Sequence, residues 1–215
     1  MTTMQKFEPK IDQYEPSLKE ATAACVQFAE LLDHKRPLAS RNANPFSVAL
    51  AETATIGPWL TLSGKNGCGK TMLAKQTFAY GQSVDPFSHS LWLATDSNTT
   101  RRPKAVWLDE VNFIKRCKDG EYDLPEYLAE DWLVVVDDLG ASRDKTGFAG
   151  DMLFRLCNSR IGKLTIFTTN FNAKQIAEQI DPRITSRLIR DGNRFINITA
   201  GDYAIRQLHG GTHHE

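Results

Sequence analysis

The sequence predicts an α/β domain built on a parallel sheet with helices on both faces. Three features of the chain point there. From Pro58 onward, short apolar runs alternate with segments of helical periodicity, which is the alternation that parallel crossovers require. One of those runs, LVVV at 133–136, is apolar at every position, as in a strand buried on both faces. The first run, WLTLSG, passes directly into a glycine-rich turn that opens a helix.

Residues 1–16 read as irregular. Ser17 opens SLKE, a capping-box pattern with Ser17 at the N-cap and Glu20 at N3. Leu18, Ala21, Cys25, Phe28 and Leu32 then recur at helical spacing and form one face, and Pro37 is expected to close the helix. LASRNANPF (38–46) reads as a linker. The helix either packs on the main domain or docks a partner, and periodicity does not separate the two. WLTLSG (59–64) is the first strand and TMLAKQTFAYG (71–81) a helix closed by Gly81. Residues 82–103 fit the alternation least well and read as a loop holding a short extra strand. KAVWL (104–108) is a strand, DEVNFIKRCKDG (109–120) a helix ending at Gly120, and LPEYLAED (124–131) a further helix. WLVVV (132–136) is a strand, GFAGDMLFRLCNSR (147–160) a helix and LTIFTT (164–169) a strand. AKQIAEQI (173–180) and ITSRLIR (184–190) are helical, and RFINIT (194–199) is the last strand.

The 215 residues suffice for one domain with a sizeable core and a short appendage. Lys plus Arg equals Asp plus Glu, 26 each, which argues against coating nucleic acid by bulk charge but leaves room for a local basic patch. Cys25, Cys68, Cys117 and Cys157 are scattered without metal-ligand spacing, as expected of reduced thiols in a cytoplasmic protein. The chain begins without an apolar signal core, and no segment has the roughly 18 apolar residues of a membrane helix.

GKNGCGKT (64–71) matches GxxxxGK[ST] with a strand before it and a helix after it. Gly64, Gly67 and Gly69 let the backbone curl so that amides point inward at an anion, and the helix N-terminus adds partial positive charge. Lys65, Asn66 and Cys68 contribute main chain to the same cradle. Lys70 has the reach for β- and γ-phosphate oxygens, and the Thr71 hydroxyl is a ligand for Mg²⁺. A bare glycine-rich turn would explain the glycines but not Lys70 and Thr71 beside them. Cys68 reads as a small residue tolerated where only backbone is used.

The acids of LVVVDDLG (133–140) gain their reason from that loop. Ligands of parallel α/β sheets collect at the carboxyl ends of the strands. Asp137, at such an end, is assigned to Mg²⁺, directly or through water, and Asp138 to the water that attacks the γ-phosphate. Asn170, closing TIFTTN, is a candidate to position that water. In DPRITSRLIR (181–190), Arg183 and Arg187 are four residues apart on one helical face, and an arginine delivered to a neighbouring subunit stabilises transition-state charge.

In this order GKNGCGKT, LVVVDDLG, TIFTTN and ITSRL resemble the AAA+ ATPases, and within them the DnaC-type helicase loaders and IstB-type transposition helpers. The resemblance covers roughly residues 45–200. It implies a P-loop NTPase with a parallel five-stranded sheet of order 5-1-4-3-2 flanked by helices. It makes Lys70 and Thr71 Walker A, Asp137 and Asp138 Walker B, Asn170 sensor 1 and Arg187 the trans-acting finger, with Arg183 supporting it. It implies ATP or ADP with Mg²⁺, self-association into a ring or spiral, single-stranded DNA on the inner surface, and a replicative helicase or a transposase as partner. Residues 1–44 would form an N-terminal arm with one amphipathic helix, 45–200 the ATPase core and 201–215 a short tail. GDYAIRQLHGGTHHE is too short for the helical lid of most AAA+ proteins, so weak hydrolysis that rises on assembly is expected.

Arg101, Arg102 and Lys104 form one basic cluster, and Lys115, Arg116 and Lys118 beside Phe113 form another. Cations next to an aromatic suit single-stranded DNA, by tracking phosphates and stacking a base. A solvated helix face is the alternative reading. The leading function is an ATP-driven loader of a replicative helicase. The alternatives are a transposase helper, a small-molecule P-loop kinase, which needs an arginine-bearing lid in cis, and a nucleotide-binding adaptor without turnover. Phe46 lies near the expected adenine position.

Overall fold

The computed structural model describes residues 9, 15–39, 57–84, 104–142, 144, 146–203 and 205, and for 34–39 the backbone alone. The expected linker from residue 40, the loop over 85–103, Phe46, Arg101, Arg102 and the tail from residue 206 lie outside the described residues.

Five strands form one all-parallel sheet: β1 Trp59–Gly64, β2 Ala105–Asp109, β3 Leu133–Asp137, β4 Leu164–Thr169 and β5 Arg194–Ile198. Their order is β2-β3-β4-β1-β5, the expected 5-1-4-3-2 read from the other edge. Interior β1, flanked by β4 and β5, is buried at every residue, as is the central β4. β3 is buried from Leu133 to Val136, which accounts for its unbroken apolar run.

Successive strand residues point to opposite faces, so each strand feeds two cores. One core takes Leu60, Leu62, Leu133, Val135 and Ile166, and is covered by α1 (Pro16–Ala39) and α2 (Lys70–Ser83). The other takes Trp59, Val134, Val136 and Phe167, and is covered by α3 (Glu110–Lys118), α5 (Phe148–Ser159) and α7 (Pro182–Ile189). Two short elements complete the chain: α4 (Leu124–Tyr127), which continues as a 3-10 turn to Glu130, and α6 (Ala173–Gln179).

The helix α1 is a packing element. The predicted face of Leu18, Ala21, Cys25, Phe28 and Leu32 is buried against α2, β5 and β1 within the first core. Its ends differ from expectation. The helix starts at Pro16, whose fixed φ suits the first turn, and the amides of Leu18 and Lys19 bond to the Glu15 carbonyl. Ser17 is therefore inside the helix, and its buried hydroxyl has no hydrogen-bond partner among the described residues. The helical backbone also continues past Pro37 to Ala39.

Gly81 does not end α2, which continues to Ser83. A Cβ at Gly81 would lie 2.5 Å from the Leu133 side chain, so this glycine permits close helix–sheet approach instead. Asp109 and Gly120 behave as expected. The Asp109 carboxylate caps α3 by accepting from the Asn112 amide at 2.9 Å, and Gly120 has φ +117 just beyond its end.

Candidate nucleotide site

β1 runs out at Gly64, and the chain curls through Lys65–Gly69 into the first turn of α2. The curl requires glycine at two points in particular. Gly64 has φ +153, and a Cβ there would sit 2.4 Å from the Ile198 carbonyl oxygen. Gly67 has φ +75, and a Cβ would run into the Asp202 carboxylate at 2.1 Å. Gly69 holds the N-cap position of α2 in the left-handed region with no side-chain cap, so the first-turn amides remain directed at the loop interior. Cys68 is buried beneath the loop in the first core and contributes packing.

Lys70 is 5% exposed, and its Nζ donates to the Lys65 carbonyl at 2.9 Å and to Asn170 Oδ1 at 3.0 Å. Two elements far apart in sequence thus hold the ammonium over the loop and bring Asn170 beside it. The Thr71 hydroxyl donates to Asp137 Oδ1 at 3.1 Å. The predicted Walker A and Walker B residues and Asn170 therefore converge at the carboxyl ends of β1, β3 and β4.

Thr168 was not singled out by the sequence, yet it organises both acids. Its hydroxyl donates to Asp137 Oδ1 at 2.6 Å and accepts from the Asp138 amide at 2.9 Å, while its carbonyl accepts from the Leu139 amide at 2.8 Å. These bonds turn the chain sharply after β3, and Asp138 adopts φ +58, where aspartate is tolerated better than most residues. The two adjacent carboxylates consequently part, one toward Thr71 and one into a half-buried position. Burial raises the Asp138 carboxyl above the usual range and the Asp137 charge raises it further, while Lys70 opposes the shift.

Glu110 is likewise unmarked in the sequence. It is fully buried, Oε2 accepts from the Ser142 amide at 2.7 Å, and Oε1 has no partner among the described residues. Burial raises its carboxyl above the ordinary range. It braces the loop after β3 along a cavity of about 580 Å³ that also reaches Asn170 and Asp144. No signal in DEVNFIKRC distinguishes this glutamate from a solvated one, because its burial depends on the loop that folds over it.

Thr71 and Asp137 fit a magnesium ion: one hydroxyl and one carboxylate are the oxygen donors that Mg²⁺ accepts from protein when phosphates and water supply the remainder.

Arg183 and Arg187 share a face of α7 as predicted, but neither approaches the phosphate loop of its own chain. Both guanidinium groups lie over the Phe154 ring, at 4.0 and 4.3 Å. Arg183 is also paired with Asp181 at 2.6 Å and Asp151 at 3.2 Å. Arg187 donates to the Arg183 carbonyl at 3.1 Å, while its buried Nε has no partner among the described residues. Arg187 lines a cavity with Pro58 and Trp59 at the amino end of β1, about 15 Å of strand from the phosphate loop at the other end.

The basic cluster on α3 requires a correction. Phe113 is 1% exposed and packs in the second core, so it presents no ring to a base. It shares the apolar face of α3 with Ile114 and Cys117. Lys115, Arg116 and Lys118 do face outward, paired with Asp119, Glu121 and Asp144.

The sheet order, the glycine-rich loop at the end of β1 and the acids at the end of β3 give the chain a P-loop fold of the AAA+ type. Among solved structures the chain is similar to the DnaC helicase loader, with a TM-score of 0.58 and 21% identity over 90% of this chain and 98% of the other. DnaI gives a TM-score of 0.56 and 20% identity over 88% of each chain. The replication initiator DnaA bound to AMPPCP and single-stranded DNA gives 0.51 and 14% identity over 74% of this chain and 47% of the other. No family model and no curated protein sequence matches the chain. No helix among the described residues is long and apolar enough to cross a membrane.

Proposed function

We propose that the chain is a Mg²⁺-dependent ATPase that acts as an oligomer to load a replicative helicase onto single-stranded DNA. The observation that carries the ATPase reading is the convergence of Lys70, Thr71, Asp137, Asp138 and Asn170 at the carboxyl ends of β1, β3 and β4. The fold likeness to DnaC and DnaI supports a loader, and the AMPPCP and DNA bound to DnaA support ATP and a single strand as ligands.

In this reading the loop amides and Lys70 hold the β- and γ-phosphates. Thr71 and Asp137 would hold Mg²⁺, which would supply charge neutralisation to the triphosphate. Asp138 takes the proton of the attacking water, from a carboxylate that Thr168 turns away from Asp137. Asn170, held beside Lys70, orients the water. Arg187 completes the site of a neighbouring copy. Its distance from its own phosphate loop argues against a role in cis, and its Nε has no hydrogen-bond partner among the described residues. Arg183, already paired with two carboxylates, supports its position. Lys115, Arg116 and Lys118 follow the DNA backbone, Lys115 and Arg116 by exchanging exposed carboxylate partners for phosphates.

The test is ATP turnover per subunit measured against protein concentration, with and without single-stranded DNA. Turnover should rise with concentration. Arg187→Ala should lower the assembled rate by about 10³-fold or more while leaving ATP binding intact, and Arg187→Lys should show the same loss with the Phe154 contact largely kept. A per-subunit rate independent of concentration, or assembly-stimulated turnover that survives both substitutions, would reject the shared site.

A further inference from the structure

We propose that Tyr203 and Met72 form the platform for the nucleoside base, so that the segment leaving β5 covers the nucleotide. The inference rests on the ATPase reading and adds the recognition of the base to it.

A cavity of about 250 Å³ opens beside the phosphate loop, lined by Gly67, Cys68, Gly69, Lys70, Thr71, Met72 and Tyr203. Neither Walker B acid nor Asn170 lines it. Those residues lie on the other flank of Lys70 and Thr71, joined to them by the Lys70–Asn170 and Thr71–Asp137 bonds. A triphosphate whose γ-end meets Lys70 and Asn170 therefore runs its α-phosphate and nucleoside out over Thr71 and Met72, into this cavity.

The walls suit an aromatic heterocycle. Met72 is 43% exposed and Tyr203 49% exposed, and both line this one cavity beside the phosphate loop. A phenol ring stacks on a purine face, and a thioether contacts the opposite face or the ring edge. Tyr203 is also held in register with the loop. Its amide donates to the Gly67 carbonyl at 2.9 Å, and the preceding Asp202 carboxylate lies against the Gly67 backbone. The last strand thus hands the chain back to the phosphate loop, and the tyrosine is fixed to the loop it covers.

Calorimetric titration of the full-length chain with Mg·ATP and with Mg·tripolyphosphate separates base recognition from phosphate recognition. Tyr203→Ala should weaken ATP about tenfold or more and leave tripolyphosphate unchanged. Tyr203→Trp should retain ATP affinity, and its added emission, relative to wild type, should be quenched by ATP and not by tripolyphosphate. Met72→Ala should give a smaller loss in the same direction. Lys70→Ala should weaken both ligands. The platform is overturned if Tyr203→Ala binds ATP as wild type does, if it weakens both ligands equally, or if the tryptophan emission ignores ATP. Wild-type protein that binds neither ligand would overturn the ATPase reading itself, and the platform with it.

Discussion

Thr168 is the residue on which the arrangement of the two acids turns. One hydroxyl donates to Asp137 and accepts from the Asp138 amide, so a side chain without it leaves a half-buried carboxylate and a backbone amide each short of a partner. Thr168→Val should cost about 1–3 kcal/mol in denaturant unfolding, and should lower ATP turnover about tenfold with ATP affinity nearly unchanged, since the loop amides and Lys70 are untouched. Glu110 gives a pH signature instead. Burial raises its carboxyl in the folded chain, so the folded state keeps the proton to higher pH than the unfolded state does. Its contribution to stability is full below the ordinary carboxyl range and is lost as pH rises through the raised pKa. Glu110→Gln, which keeps an acceptor for the Ser142 amide, should therefore gain stability relative to wild type as pH rises across that window. Parallel unfolding curves at every pH would refute this account. The buried thiols of Cys25 and Cys157 are each pushed up to about 12, which keeps them protonated and unreactive at neutral pH.

At the scale of elements, the joint between the end of α5 and the amino ends of β3 and β4 depends on one arginine. Arg160 is fully buried, and its guanidinium donates to the carbonyls of Leu128, Asp131 and Leu164 and to the Thr165 hydroxyl. Burial lowers its pKa to about 10, which still leaves it charged at neutral pH. Its own carbonyl accepts from the Trp59 indole at 3.1 Å, so β1 is tied into the same joint. Removing the guanidinium strands several buried carbonyls at once, and Arg160→Ala should cost about 3–5 kcal/mol. A loss below about 1 kcal/mol in urea unfolding would mean that the carbonyls find other donors. The α1 helix shows a second way in which elements reinforce the fold. Its apolar face follows from spacing alone, but only packing against α2 and β5 decides that this face is filled from within.

The whole molecule is polarised along its strands. The phosphate-loop residues, the paired acids and Asn170 gather at the carboxyl ends, while Arg187 lies at the amino end of β1 and the basic side of α3 faces outward on a flank. In the proposed assembly such a molecule completes its active site by presenting one end to a neighbour. The α3 cations are exposed and paired with nearby acids, and exposed pairs of this kind contribute little to stability, so they exchange partners readily. Lys115→Glu with Arg116→Glu should leave the fold intact and reduce the salt dependence of single-strand binding, by about 0.7 in the log–log slope for each phosphate no longer neutralised. An unchanged slope would remove these residues from the DNA path.

The sequence by itself determined the α/β class, the strands, the phosphate loop, the paired acids and Asn170, because each is written in adjacent residues or in a short period along the chain. Tertiary structure alone decided which helix face meets a core, and so withdrew Phe113 from any DNA contact. It decided that Thr168, Glu110 and Arg160 are buried hydrogen-bonding centres, that Gly81 serves close packing instead of a helix end, and that Tyr203 returns to Gly67. Each of these depends on contacts between segments far apart in sequence. A local pattern carries no record of which distant backbone will supply the partner or exclude the water.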